Sequence, residues 1–309
     1  MDEAAARSKR LDPADDRPAA ALGVAVRLGL FSALAGGRGT AAQLAAVVGA
    51  DEGALEVLAD ALVSIGLLEK HAAHYANAEQ AAAGRVAAGR PRGLEARLLR
   101  AVREGPRPAL RAALPRALSR ALYRDAQVLG QRLAQSLDLT RSRHLLDVGG
   151  GLGGYAAAFC DAWPELSVTV FDLPGVVREG RRLAGPRLEF VSGDFLRDPL
   201  PRGCDVVLAS DILHGQRAPD AVRLVRLLHE ALEPGGLLVL RDVLMERERT
   251  APRWAALFSL TLLATSGSRC YAEDEVRGWL AEAGFVDVRE AAVESEPWDP
   301  NRVLLAMKG

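Results

Sequence analysis

Three carboxylates sit at the ends of consecutive apolar runs: Asp147 in L-L-D-V-G-G-G-L-G, Asp172 in V-F-D-L-P and Asp194 in G-D-F-L. Each run is short and apolar, so each reads as a strand with its acid at the carboxyl end. Gly149, Gly150, Gly151 and Gly153 come after the first acid, and glycine alone lets the backbone turn sharply and lie flat against a ligand. In a chain with 30 glycines such a loop is weak evidence alone, and the acids downstream carry the argument. Asp172, about twenty residues on, is placed to bind ribose hydroxyls. An acidic rim of this kind would repel a pyrophosphate and tolerate a sulfonium without phosphates, which favours S-adenosylmethionine over NAD.

These residues need a parallel sheet to hold them. From His144 onward strands and helices alternate, implying βαβ units covered on both faces. The expected strands are about 144–149, 166–171, 188–192, 204–209, 237–243, 285–292 and 302–307, with helices near 154–162, 175–183, 219–232 and 273–283. Before them, residues 85–143 carry fourteen arginines against four acids and read as connecting helices broken at Gly105-Pro106 and Pro115. A solvated face explains such charge more simply than an acidic partner.

The amino-terminal part reads as helix 19–34 ended by Gly36-Gly37, helix 41–48 capped by Thr40, helix 52–65, and a short ribbon around Tyr75. This helix-turn-helix with a wing suggests DNA binding, but Asp51, Glu52, Glu56 and Asp60 at the expected exposed positions would repel phosphate. Nucleic acid is therefore not expected as a partner. The wing histidines His71 and His74 lack the companions of a metal site, and no metal is expected.

The 309 residues, 49% of them hydrophobic, suffice for two modest domains, and 39 basic against 40 acidic residues give a net charge of −1. Cys160, Cys204 and Cys270 are too far apart for a C-x-x-C pair and fit a reducing compartment. With no signal-like segment at Met1–Pro18 and no long apolar run, a soluble cytoplasmic protein without membrane contact is expected.

Taken in order, D-V-G-G-G, F-D-L-P, G-D-F, L-H and P-G-G-L-L resemble the S-adenosylmethionine-dependent O-methyltransferases of the plant caffeate and bacterial natural-product type, over about residues 20–308. The resemblance implies an α/β fold: a Rossmann-like seven-stranded methyltransferase sheet, last strand antiparallel, with an N-terminal all-α winged-helix dimerisation domain and hence a homodimer. The implied division is a disordered tail 1–18, dimerisation domain 19–90, linking helices 91–143 that contribute to the acceptor pocket, and a cofactor-binding domain 144–309.

By the same resemblance Asp147, Gly149 and Gly151 cradle the amino-acid end of S-adenosylmethionine, with S-adenosylhomocysteine as product. Asp172 with Leu173 holds the ribose, Asp194 and Phe195 frame the adenine, and Ser210 completes the set. His214, in I-L-H-G-Q, takes the place of the family's base. An imidazole of pKa about 6.5 can accept a proton at neutral pH from a phenol of about 10. Asp242, in V-L-R-D-V-L, matches the carboxylate that orients it, and the helix bearing Trp254, Phe258, Leu262 and Leu263 would cover a small aromatic acceptor. His229 reads as a surface or boundary residue on its helix.

The family's second carboxylate aligns with Cys270, and its usual aspartate and tryptophan after the histidine are Gly215 and Gln216. These departures keep open C- or N-methylation, hydroxylation or a pericyclic reaction on the same cofactor. A winged-helix metabolite sensor is the non-enzymatic alternative.

Overall fold

The computed structural model describes residues 15–79, 90–106, 116–294 apart from 184 and 186, and 299–309. Most of the expected tail thus lies outside the described residues. Helix α1 (Arg17–Leu28) starts with Pro18 in its first turn, where a missing N–H costs nothing. The expected single helix 19–34 is broken at Gly29, whose φ of 72° ends α1 before a one-turn α2 (Leu30–Ala33). After β1 (Gly39–Thr40), a capping box between Thr40 and Gln43 starts α3 (Ala41–Val48), and Asp51 accepts from Ala54 N–H to start α4 (Glu52–Ser64). The wing is β2 (Leu68–His71) and β3 (His74–Asn77), with α5 (Gly93–Glu104) and α6 (Arg116–Gln135) after it.

The sheet region then runs through β4 (His144–Val148), α7 (Gly154–Ala162), β5 (Ser167–Asp172), α8 (Pro174–Gly180), β6 (Leu188–Ser192), β7 (Cys204–Ser210), α9 (Ala218–Ala231) and β8 (Leu232–Asp242). An excursion of β9 (Leu244–Met245), α10 (Arg253–Thr265) and β10 (Tyr271–Ala272) precedes α11 (Glu273–Glu282), β11 (Phe285–Glu290) and β12 (Arg302–Lys308).

The seven-stranded sheet runs β11-β12-β8-β7-β4-β5-β6. Pairings from β8 to β6 are parallel, and β12 is antiparallel to both neighbours, as the family pattern implies. The chain leaves β4 toward β5 on one side and returns to β7 on the other. That reversal opens a crevice at the carboxyl ends of β4 and β7, the place where open α/β sheets bind ligands. Its strands are near-continuous apolar runs because both faces are covered: Leu145, Leu146, Val206, Val207, Leu208 and Val239 are all fully buried.

By contacts the chain divides into two compact units, one made of Met1–Leu110, His214–Arg217 and Leu244–Glu275, the other of Arg111–Leu213, Ala218–Val243 and Val276–Gly309. The first has its own core, in which Leu55, Leu58 and Leu62 of α4 and Leu98 of α5 meet Leu257 and Leu260 of α10. Each such leucine contributes about 1.5–3 kcal/mol by leaving water. Helix α10 is therefore a core element of the amino-terminal unit, and Leu263, expected over an acceptor, belongs to that core.

The acidic face of α4 also differs from expectation. Asp60 is only 4% exposed, accepting hydrogen bonds from Lys70 Nζ and Tyr75 Oη, both at 2.6 Å. The wing folds back over α4, and the lysine there neutralises the acid. At the wing tip His71 and His74 are paired across the hairpin and exposed, and among the described residues no cluster of three metal-ligating side chains occurs.

Candidate active site

The first glycine loop is built around two acids. Asp147 is 1% exposed in β4. A Cβ on Gly150 would fall 2.4 Å from its carboxyl, so only glycine lets the loop close over the acid. Gly151 has φ of +61°, and its N–H donates to Asp172 Oδ2 at 2.8 Å, tying the loop to the end of β5. Nothing lies within 4 Å of where its Cβ would be, so the loop presents bare backbone to open space.

Asp172 also accepts from Leu173 N–H at 2.6 Å, so its carboxylate is oriented by two backbone N–H groups at the end of β5. Asp147 Oδ2 is buried without a hydrogen-bond partner. Burial first, then the charge of Asp172, pushes the Asp147 carboxyl up to about 7 against a bond from the Ala156 backbone. An orphaned buried carboxyl beside a second acid suits a cationic ligand and disfavours phosphate.

At the end of β6, Asp194 Oδ1 accepts from Leu196 N–H at 3.0 Å, Oδ2 lies 3.7 Å from Arg197, and Phe195 is buried beside it. Ser210 ends β7, where its hydroxyl donates to Asp211 Oδ2 at 2.9 Å. The sheet thus brings Asp147, Gly149, Gly151, Asp172, Leu173, Asp194, Phe195 and Ser210 to one edge. The buried carboxylates and the bare glycine backbone fit S-adenosylmethionine, which is cationic at sulfur and carries no phosphate.

A buried cation that sequence reasoning missed stands at the same edge. Arg241, 5% exposed near the end of β8, hydrogen-bonds Asp211 and places Nη2 2.6 Å from Asp299 Oδ1, with its guanidinium 5.6 Å from the Tyr155 ring centroid. Asp211, at a left-handed φ of 59°, is held also by Asn301. The signal was present in L-L-V-L-R-D, where an arginine inside an apolar strand must be paired. Next to it Asp242 is 1% exposed; Oδ2 accepts from Leu213 N–H at 2.9 Å and Oδ1 from Val243 N–H at 2.7 Å. Asp242 therefore grips the backbone of the residue that precedes His214.

In the other unit, half-buried His214 meets the Phe258 ring edge-on at 5.4 Å, and Phe258 stacks on Trp254 at 4.7 Å and 28°. Trp254 and Phe258 share a face of α10 because they are four residues apart. The Gln216 carbonyl accepts from Tyr271 Oη at 2.6 Å, which fixes the turn carrying His214. Cys270, where a carboxylate was looked for, is fully buried, and its N–H donates to Ser259 Oγ at 3.1 Å. His229 lies at a boundary: its ring packs edge-on against Phe285 at 4.9 Å, and burial lowers its pKa.

An O-methyltransferase dimerisation domain model matches residues 18–83, and an O-methyltransferase domain model matches residues 111–286. Among similar proteins, 3-hydroxy-5-methyl-1-naphthoate 3-O-methyltransferase of Streptomyces sahachiroi is 32% identical over 87% of this chain and 86% of its own. Tetracenomycin polyketide synthesis 8-O-methyl transferase of Streptomyces glaucescens is 38% identical, but the match spans only 53% of this chain and 50% of that one. Among solved structures, an O-methyltransferase family 2 protein from Planctomyces limnophilus in complex with apigenin superposes with a TM-score of 0.78, 27% identity and 98% coverage of both chains. Human N-acetylserotonin methyltransferase with S-adenosylmethionine superposes at 0.58, with 25% identity and 96% and 95% coverage.

Proposed function

Because this chain belongs to the O-methyltransferase family, whose members use S-adenosylmethionine, we propose that it methylates a hydroxyl of a small aromatic natural product, with His214 as general base. The observation that carries this reading is the half-buried row His214–Phe258–Trp254, an imidazole at one end of an aromatic surface on which a flat acceptor can lie. The relative named for 3-O-methylation of a hydroxynaphthoate acts on an aromatic hydroxyl, which supports the acceptor class.

When bound, the cofactor would supply an electrophilic methyl carbon on a sulfonium. The residues of the chain do the rest. Asp172, Asp194 and the glycine loop would hold the donor, and the Phe258 and Trp254 rings would hold the acceptor, since displacement at carbon gains most from orientation. His214 would accept the proton of the acceptor hydroxyl, and Asp242 would fix the peptide on which His214 is carried. The amino-terminal unit, with its dimerisation-domain match, makes the working protein a homodimer in this reading.

The test is turnover of an aromatic hydroxyl panel with labelled cofactor. His214→Ala is expected to lose about 10²–10⁴ in kcat. Full turnover in that variant would remove His214 as the base. Product without added methyl mass would remove the reaction.

A further inference from the structure

His214 is followed by Gly215, and glycine has more conformational freedom to lose than any other residue, so a base carried beside it needs its peptide held from outside. Before the histidine, Asp242 supplies that hold by accepting from Leu213 N–H at 2.9 Å. After it, Tyr271 Oη donates to the Gln216 carbonyl at 2.6 Å. Tyr271 is 2% exposed, and its own place is fixed from three directions. Strand β10 pairs with β9 in the register Tyr271 to Leu244. The preceding residue, Cys270, donates its N–H to Ser259 Oγ at 3.1 Å. The Arg269 guanidinium lies 5.5 Å from the Tyr271 ring centroid and is itself held 2.7 Å from Glu275. Ser259 follows Phe258 on α10, the ring that meets His214 edge-on. The short segment Arg269 to Tyr271 is thus tied both to the helix that packs the imidazole and to the turn that carries it.

We propose that Tyr271 is a positioning residue for methyl transfer, its hydroxyl setting the His214 imidazole by holding the turn at the Gln216 carbonyl. This rests on His214 as general base and deepens that reading. It also joins the three departures from the family pattern into one arrangement. Gln216 contributes its carbonyl and Cys270 its N–H, groups that any residue there would offer. What the arrangement requires of a side chain is the hydroxyl at position 271, next to the place where a carboxylate was looked for. Proton transfer from an acceptor hydroxyl depends on where the base stands, and a misplacement of about 1 Å can cost about a hundredfold in rate.

The test uses the full-length protein, labelled S-adenosylmethionine and the best acceptor of the aromatic hydroxyl panel. Tyr271→Phe removes one oxygen atom and keeps the ring under Arg269. Its kcat should fall about tenfold to a hundredfold, with acceptor KM and cofactor Kd unchanged. Because Tyr271 acts through His214, the double variant with His214→Ala should turn over no more slowly than His214→Ala alone. Hydrogen exchange of the peptide carrying His214 needs no acceptor, and it should run about twofold to tenfold faster in Tyr271→Phe, as for the loss of one hydrogen bond.

Unchanged kcat or unchanged exchange in Tyr271→Phe overturns the proposal. A further loss in the double variant also overturns it, since Tyr271 would then only brace the fold. Full turnover in His214→Ala removes the base and this proposal with it, whereas a large loss there beside an unaltered Tyr271→Phe removes Tyr271 alone. The two readings therefore fail distinguishably.

Discussion

Asp147 links protonation to both stability and donor binding. Its carboxyl is held at about 7 in the fold, above the ordinary 3.8. The native chain therefore keeps a proton that the unfolded chain has released above about pH 4, and stability must fall as pH rises from about 4 to about 7 and level off beyond. At about 1.4 kcal/mol per pKa unit the loss is on the order of 4 kcal/mol. Asp147→Asn should flatten that slope in urea unfolding at pH 5 and pH 8 without cofactor; an unaltered slope would assign it to other groups. A bound sulfonium favours the ionised acid, so cofactor affinity should climb through about pH 7, with proton release visible in calorimetry across buffers of different ionisation enthalpy. Asp242, proposed to position His214, is itself held by two backbone N–H groups. Asp242→Asn retains one acceptor oxygen for two N–H groups, and kcat should drop about tenfold to a hundredfold with little change in cofactor Kd. A large loss of cofactor binding would place its role at the cofactor instead.

Among the elements, α4 and the wing depend on one buried charge pair. Lys70→Met leaves Asp60 buried with only Tyr75 and the more distant Arg249, whose Nε is 3.5 Å from Oδ2, and should cost about 3–5 kcal/mol in chemical denaturation. A cost below 1 kcal/mol would mean that Arg249 compensates. The strands around the site were legible because their apolar runs are short and bounded by turn residues: L-L-D-V-G-G-G has no helical pattern, and the apolar run into Asp172 is too short for a helix. The split at Gly29 was not legible, because R-L-G-L-F keeps a helical apolar spacing straight across the glycine, and its left-handed φ is set by how the chain packs on either side of it. Nor could Asp60 be placed, since four acids on one helix read as a solvated face until the wing brings Lys70 back over it. The residues proposed to hold the cofactor were read from local motifs.

At the scale of the whole molecule, sedimentation should give twice the 32.9 kDa of one chain, as the dimerisation-domain match implies. Sedimentation at one chain mass across micromolar concentrations would remove the homodimer. The contact division has a consequence for how such a protein can change. The leucines Leu257 and Leu260 that complete the amino-terminal core arrive from a stretch encoded more than a hundred and forty residues later, inside the excursion between β8 and α11. A fragment ending near residue 110 would present Leu55, Leu58 and Leu98 to water and is expected to aggregate. The chain is threaded like a lace through two eyelets, so a simple cut cannot exchange its halves. Recombination that imports a new amino-terminal half must import residues 244–275 with it. The Trp254 and Phe258 rings of α10 would travel in the same segment, so they and that core would be inherited together.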